Sequence, residues 1–506
     1  MKAPTSSDRQ SATERATFGG LDAWATRTPD RVALSDGDTA HTFQELRALV
    51  EGVRADLIEA WHRANRPRFL PVAVDFSLES AIAVLACMRY QIPFAPIDSR
   101  LPRERLRHVV EHLGQPSMAW VSESASEYWD DEVVPRFDPL TLRSGPTVPE
   151  VVGEGVVIFT SGSTGAPKGV VLTWEALEDR WNTRESITVE TSDSRATNVV
   201  VPLNWILGLS RLARVFFGYS VLRIDPGALD MKGFFRRLRD FGVTHLTLPT
   251  QLARLVSQST LPSTVRLPDA RELSFGGEGF RYEFLHKLAP MFQDSIVFSH
   301  SLGYSEAPLS FVHRFSPHEM PEAGVVHVGK IHRPQNLRLT PAEDHDEGVF
   351  DVLCSGYLAT EYLGQPDLTQ ERFVVDEAGT RWWKSGDLVV EGDNGLYLHA
   401  GRIDDLVKVS GKLASPSEPE RLLFSLAGVR AAVVLPEVSN FSTRLVAHLE
   451  VGQSSQLSRN DVLGYLREYL EPHLVPAKIF FHETLPSTPR GKVDRAALRN
   501  FVTEQN

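Results

Sequence analysis

Val156-Val-Ile-Phe-Thr-Ser-Gly-Ser-Thr-Gly-Ala-Pro-Lys-Gly169 decides how the rest of this chain is read. Its apolar start predicts a buried strand, which runs directly into small hydroxyl residues and glycines. Glycine lets backbone N–H groups converge on an anion, and Thr160, Ser161, Ser163 and Thr164 add hydroxyl donors around Gly162 and Gly165. Lys168 closes the loop with positive charge. These are the groups that a triphosphate requires. The pattern is not a Walker loop, because Pro167-Lys168-Gly169 stands where Gly-Lys-Ser/Thr is needed. The plain alternative is a flexible surface loop rich in Ser and Gly, and the buried strand leading into it argues against that.

On either side of the loop, short β-rich runs alternate with helical periods. Val32–Leu34, Leu70–Val74, Phe94–Ile97, Ala119–Val121 and Gly155–Thr160 read as strands, with helices over Phe43–Ala60 and Leu78–Tyr90. The alternation continues through Phe234–Phe241 (helix), Val243–Leu248 (strand) and Gln251–Gln258 (helix). Such a pattern predicts an α/β architecture with largely parallel sheets. Beyond Glu322 the strands shorten, and beyond Arg402 an α+β segment follows: strands Val429–Leu435 and Leu445–Val451, and a helix over Arg459–Glu471. A domain boundary is expected in Gly401–Asp405, dividing residues 1–403 from 404–506.

The glycine-rich stretch closely resembles the phosphate-binding loop of adenylate-forming enzymes, a superfamily that includes acyl-CoA synthetases, aryl-acid ligases, luciferase and nonribosomal-peptide adenylation domains. The resemblance extends from about residue 20 to residue 499, with eight motifs in order counting the loop itself. Thr42-Phe-Gln-Glu-Leu46 and Pro93-Phe-Ala-Pro-Ile-Asp98 are similar to early structural motifs of the family. Phe275-Gly-Gly-Glu278 resembles the turn lining its acyl and adenine pockets, which nominates Gly276 for the acid and Gly277 and Glu278 for the nucleotide. Leu302-Gly303-Tyr304-Ser305-Glu306 is similar to an aromatic-Gly-x-Thr-Glu motif, implying that Glu306 helps hold Mg²⁺. Trp383-Lys-Ser-Gly-Asp-Leu388 implies ribose binding by Asp387. The hinge motif falls on Gly401–Gly411, with Arg402 on the nucleotide and Asp404 as pivot. Leu485–Arg495 resembles the loop carrying the catalytic lysine, here Lys492.

The fold implied is a large N-terminal domain of stacked mixed sheets with flanking helices, plus a small mobile α+β C-terminal domain. The activity implied is ATP-dependent conversion of a carboxylic acid to an acyl-adenylate with release of pyrophosphate, ATP and Mg²⁺ being required. Both partners in that reaction are anionic, so the site must neutralise charge as it accumulates. Two departures stand out. Leu302 replaces an aromatic that stacks on adenine, leaving Tyr304 to substitute or the stacking weaker, and Pro419 stands where the family prefers an aliphatic residue.

Amino-acid-activating relatives pair the substrate ammonium with an Asp near the start of a pocket helix. The corresponding stretch, Val201–Leu209, offers Asn204 or Trp205, and no acidic residue follows before Asp225. An unpaired ammonium there would be costly, so an aryl or acyl acid is expected over a free α-amino acid. Trp205 also reads as an ordinary core aromatic, and both readings stay open. Asn506 soon follows the last motif, so no fused carrier domain is expected and the acceptor thiol is assigned to coenzyme A or a separate carrier protein. Leu101–Leu106 and Tyr362–Thr369 lean towards peptide-synthetase-type relatives, hence towards a carrier.

Composition sets outer limits. Across 506 residues, 53 Lys plus Arg against 65 Asp plus Glu give a formal charge of −12, which argues against a nucleic-acid or anionic-membrane coat. Only Cys87 and Cys354 are present, so neither a disulfide framework nor a cysteine zinc knot is expected. The N-terminus lacks the apolar run of a signal peptide and no stretch is long enough to cross a bilayer, so a cytoplasmic location is expected. His108-Val-Val-Glu-His112 matches a zinc-peptidase spacing but lacks an identifiable third ligand, and an ordinary amphipathic helix over Arg103–Leu113 accounts for it. The rival from another class is a non-catalytic nucleotide-binding regulator. Its expected mark is loss of Lys492 or Glu306, and the sequence keeps both.

Overall fold

The computed structural model describes residues 18–504 except 138–153, 162–166, 188–194, 226, 228, 277–279, 343–347, 404–406, 410–411, 425, 427, 439–442, 453–456 and 488–492. Among the described residues, sheets of nine, six and five strands organise residues 18–402, and smaller two- and three-stranded sheets lie beyond them. In the six-stranded sheet, Leu70–Val74 pairs in parallel with Phe94–Asp98 and Trp120–Val121. Phe94–Asp98 in turn pairs with β1 (Glu154–Ser161). β1 then folds back antiparallel on β2 (Pro167–Thr173), which continues into helix α1 (Trp174–Ile187). The expectation of largely parallel sheets holds for the centre of this sheet, and the hairpin at the glycine-rich loop makes its edge antiparallel.

The nine-stranded sheet has the same character. Parallel strands at its centre include β3 (Glu272–Gly276) and β4 (Val297–Leu302), with antiparallel pairs at both edges. Between these sheets lie helices Phe43–Arg63 and Leu78–Arg89, whose buried faces share one core with Val72, Val156, Val199 and Val221. The first of these helices starts where a reciprocal cap requires it. Thr42 Oγ1 accepts from Glu45 N at 3.2 Å, and Glu45 Oε2 accepts from Thr42 N at 2.8 Å. The Thr42–Leu46 motif is therefore a helix cap. The helix runs to Arg63, three residues past the expected Ala60, and stops before Asn65 and Arg66 take positive φ.

The third sheet holds β5 (Arg381–Glu391) and β6 (Tyr397–Arg402), paired antiparallel so that Asp387 stands opposite Arg402. Beyond it, Val429–Val438, Thr443–Val451 and Lys478–His482 form the separate C-terminal sheet over its own core of Val434, Leu449, Val462 and Leu466. Phe424 packs on Phe284 with ring centroids 6.0 Å apart, and its carbonyl accepts from Arg281 at 3.1 Å. The fold is thus α/β with stacked mixed sheets and a C-terminal sheet domain. Cys87 and Cys354 are both buried thiols. Among the described residues, no helix is long and apolar enough to cross a membrane.

Candidate active site

The site begins at the mouth of the glycine-rich loop, where Thr160 of β1 stands opposite Lys168 of β2. Lys168 Nζ lies 2.9 Å from Glu306 Oε1 and 4.4 Å above the centroid of the Tyr362 ring. The Tyr362 hydroxyl donates to Glu306 Oε1 at 3.1 Å, and accepts from Trp383 Nε1 at 3.0 Å and from Lys168 Nζ at 3.3 Å. One proton and two lone pairs are thereby all used. Burial and the Glu306 charge push the Tyr362 phenol far above its ordinary range, so it remains a donor. Glu306 itself is 6% exposed, a carboxylate held by one cation and one hydroxyl.

A second corner, where ribose binding by Asp387 is expected from the sequence, forms across the β5–β6 ladder. Asp387 Oδ1 lies 2.9 Å from His399 Nε2 and 3.9 Å from Arg402 Nε. Arg402 Nη2 also donates to Ser385 O at 3.1 Å, and Asp387 N donates to Ser385 Oγ at 2.9 Å. Tyr304 ties this corner to the first cluster. Its ring meets Trp383 edge-on at 4.9 Å, and its hydroxyl is buried beside Ser385 and Asp387. Burial foremost, then the Asp387 charge, raises that phenol well above its usual value. A continuous chain of contacts therefore runs Lys168–Glu306–Tyr362–Trp383–Tyr304–Asp387.

The third part of the site lies at the C-terminal ends of the parallel strands, where open α/β sheets present their binding crevices. Gly276 ends β3 against Ser301 of β4, and a Cβ at that position would come within 2.6 Å of Ser301 O. Thr250 Oγ1 donates to Gly276 O at 3.0 Å, and Phe275 stacks on His300 at 5.0 Å. Trp205 precedes helix Ile206–Leu212 and its N–H donates to Pro202 O at 3.2 Å. Gly208 lets that helix close on the same carbonyl, since a Cβ there would sit 2.2 Å from Pro202 O. Thr160 Oγ1 and Asn204 Oδ1 are among the buried atoms that lack a hydrogen-bond partner among the described residues.

Glu306, Lys168, Thr160, Tyr304, Asp387 and Arg402 are thus brought into one connected region. Leu302 ends β4, and Gly303 and Ser305 lie on the segment leading from it to Glu306. Gly162, Ser163, Thr164, Gly165, Gly277, Glu278, Asp404 and Lys492 lie outside the described residues, as does the Ser161 side chain. Tyr362, Trp383, Ser385 and His399 were missed in the sequence. Tyr362 and Trp383 did stand inside quoted stretches, but nothing local marked their polar atoms as partners of a carboxylate. His108 and His112 sit on helix Arg103–His112, where His108 Nε2 lies 3.3 Å from Pro167 O and His112 Nδ1 lies 2.8 Å from His108 O. A separate cavity of about 730 Å³, lined by His245, Arg271, Glu272 and Arg314, lies at the opposite, N-terminal ends of the parallel strands and shares no residue with the site.

The model of the family described as AMP-binding enzyme matches residues 21–349. Phosphinothricin tripeptide synthetase PhsC of Streptomyces viridochromogenes is 28% identical over 520 residues, covering 98% of this chain and 46% of that protein. This chain spans less than half the length of that relative and of several others that it matches. D-alanine–D-alanyl carrier protein ligase of Bacillus mycoides is 25% identical over 513 residues, covering 96% of this chain and 99% of that one. Among solved structures, O-succinylbenzoate coenzyme A synthetase (MenE) from Bacillus subtilis, in complex with ATP and magnesium ion, superposes with a TM-score of 0.76. It is 20% identical, over 96% of this chain and 99% of that chain.

Proposed function

The chain belongs to the AMP-binding enzyme family, and from that premise we propose that it activates a carboxylic acid with ATP, forming an acyl-adenylate and pyrophosphate. The observation that carries this reading is the joined pair of clusters: Lys168–Glu306–Tyr362 for the phosphate end, Asp387–Arg402 for the nucleoside end, bridged by Trp383 and Tyr304.

The residues fit the reactants. Thr160 Oγ1 beside Lys168, unpartnered among the described residues, is a donor for a phosphate oxygen. Asp387, 7% exposed, supplies a carboxylate for paired hydroxyls. Magnesium fits as well, through Glu306. No group of three or more His, Cys, Asp or Glu side chains capable of caging a metal occurs among the described residues. Magnesium takes most of its oxygens from phosphate and water, so one protein carboxylate suffices. When bound, it would offset negative charge on the phosphates. In this chain Glu306 would hold it, Lys168 and Thr160 would orient the leaving pyrophosphate, and Lys492 would offset charge at the α-phosphorus as the substrate carboxylate attacks. Rotation of residues 404–506 about Asp404 would then remove Lys492 and admit a thiol.

The acid is an aryl or acyl carboxylate on this reading, supported by the lack of any Asp or Glu between Val201 and Ile224. The acceptor is a carrier-protein thiol, with free coenzyme A as the alternative. One observation favours a second reading, a free amino acid: the similarity to a D-alanine–D-alanyl carrier protein ligase over almost the full length of both chains. ATP–pyrophosphate exchange over benzoate-type acids, short acyl acids and the proteinogenic amino acids separates the two. Preference for an amino acid overturns the aryl or acyl assignment. A chain that binds ATP but exchanges with no acid is a nucleotide-binding regulator instead.

A further inference from the structure

The segment that presents Glu306 has no ladder of its own. After β4 ends at Leu302 the chain leaves regular structure through Ala307, yet Glu306 is held against Lys168 and Tyr362. Its carbonyls show how. Arg180 Nη1 donates to Tyr304 O at 2.7 Å, and Arg180 Nη2 donates to Ser305 O at 3.0 Å and to Ala307 O at 2.8 Å. The carbonyl between them, Glu306 O, accepts from Ala359 N at 2.7 Å. Four consecutive carbonyls are therefore bonded, three of them by a single guanidinium.

That geometry depends on a planar fork with several N–H directions. A lysine ammonium, a point charge on a flexible stem, cannot replace it. The fork is itself braced. Arg180 lies on α1, whose neighbouring residue Asp179 is paired with Arg333 at 2.9 Å, and Trp181 Nε1 donates to Ser210 Oγ at 3.3 Å. α1 follows β2 directly, so Lys168 and Arg180 belong to one continuous stretch. This stretch grips the Glu306 carboxylate through Lys168 and the carbonyls on either side of Glu306 through Arg180.

We propose that Arg180 is a positioning residue for magnesium-dependent nucleotide binding: it fixes the Tyr304–Ala307 segment so that the Glu306 carboxylate faces the phosphate site. The inference rests on the adenylating reading above. It assigns Arg180 no contact with ATP, the acid or the metal.

The test is calorimetric titration of ATP, with excess Mg²⁺ and separately with EDTA, into the full chain and into Arg180→Lys and Arg180→Met. The wild-type chain gains affinity on adding Mg²⁺. In both variants that gain falls about tenfold or more, the loss of roughly one well-placed interaction. Their metal-free affinity stays within about threefold, since the ribose corner is untouched. Millimolar guanidinium added to Arg180→Ala restores part of the gain. Arg180→Lys with the full wild-type gain overturns the proposal, as does an equal loss with and without metal, which marks a merely structural role. Should the Met and Ala variants not fold, Arg180→Lys decides by the same criterion. A wild-type chain whose ATP affinity ignores Mg²⁺ overturns the adenylating reading, and the proposal with it.

Discussion

Replacing Tyr362 by Phe tests the joint between the two clusters. The substitution keeps the ring beneath Lys168, so the cation–π contact at 4.4 Å survives and only the hydroxyl is lost. Three groups then lose a partner: Lys168, which keeps its Glu306 contact at 2.9 Å, and the two that bear the cost, Glu306 and Trp383. Glu306, 6% exposed, loses a hydrogen bond to a charged acceptor, worth about 1.5–3 kcal/mol. Trp383, 3% exposed, keeps an indole N–H with no acceptor, costing about 1–3 kcal/mol. Relaxation shares part of both costs, so a net loss of about 2–4 kcal/mol is expected. Urea unfolding of the wild type, Tyr362→Phe, Trp383→Phe and the double variant measures it. Removing Trp383 Nε1 first abolishes one of the two penalties, so the cycle should show coupling of about 1 kcal/mol or more. Additive single effects, or a Tyr362→Phe chain as stable as wild type, would refute the reasoning.

Three other outcomes follow from the same structure. Lys492→Ala should cut adenylate formation by about 100-fold or more while leaving ATP affinity nearly unchanged, because its charge acts chiefly in the transition state; pyrophosphate exchange beside ATP calorimetry checks both halves. Asp404→Pro, which fixes φ and removes a backbone donor, should spare single-turnover adenylate formation and depress thioester formation much further. Equal losses in both steps would argue for a fixed domain arrangement. Stability should fall in mild acid. Loss of hydration, and then the Arg214 charge, depresses His245 to about 3, while burial and His482 depress His448 to about 4. An unfolded histidine takes up its proton near pH 6.5, so the stability these residues give is present above that pH and lost as pH falls through it towards 4. The loss by pH 5 is about 2 kcal/mol for each, and His448→Gln should flatten the slope measured by urea unfolding between pH 7 and 5.

What could be read in the sequence was local chemistry. Lys168, Glu306, Asp387 and Arg402 stand in short motifs whose neighbours announce them, and the Thr42–Glu45 cap announces the helix that it starts. The partners of those residues were hidden because folding alone brings them together. Tyr362 meets Lys168 across 194 positions, and Arg180 meets Tyr304 across 124. Neither an isolated Tyr nor an Arg on a helix signals that its polar end serves a distant carboxylate or a row of carbonyls. Strand polarity was equally non-local. The apolar runs at Leu70–Val74 and Phe94–Asp98 marked buried strands, whereas the antiparallel edge arises from how β1 turns back at the loop.

The central claim is acid-dependent attack on ATP, and ATP–pyrophosphate exchange over a panel of acids with Mg²⁺ present tests it most directly. The account predicts label exchange only when a carboxylic acid is supplied, strongest with an aryl or short acyl acid and cut by about 100-fold or more in Lys492→Ala. Binding of ATP without exchange for any acid would contradict it.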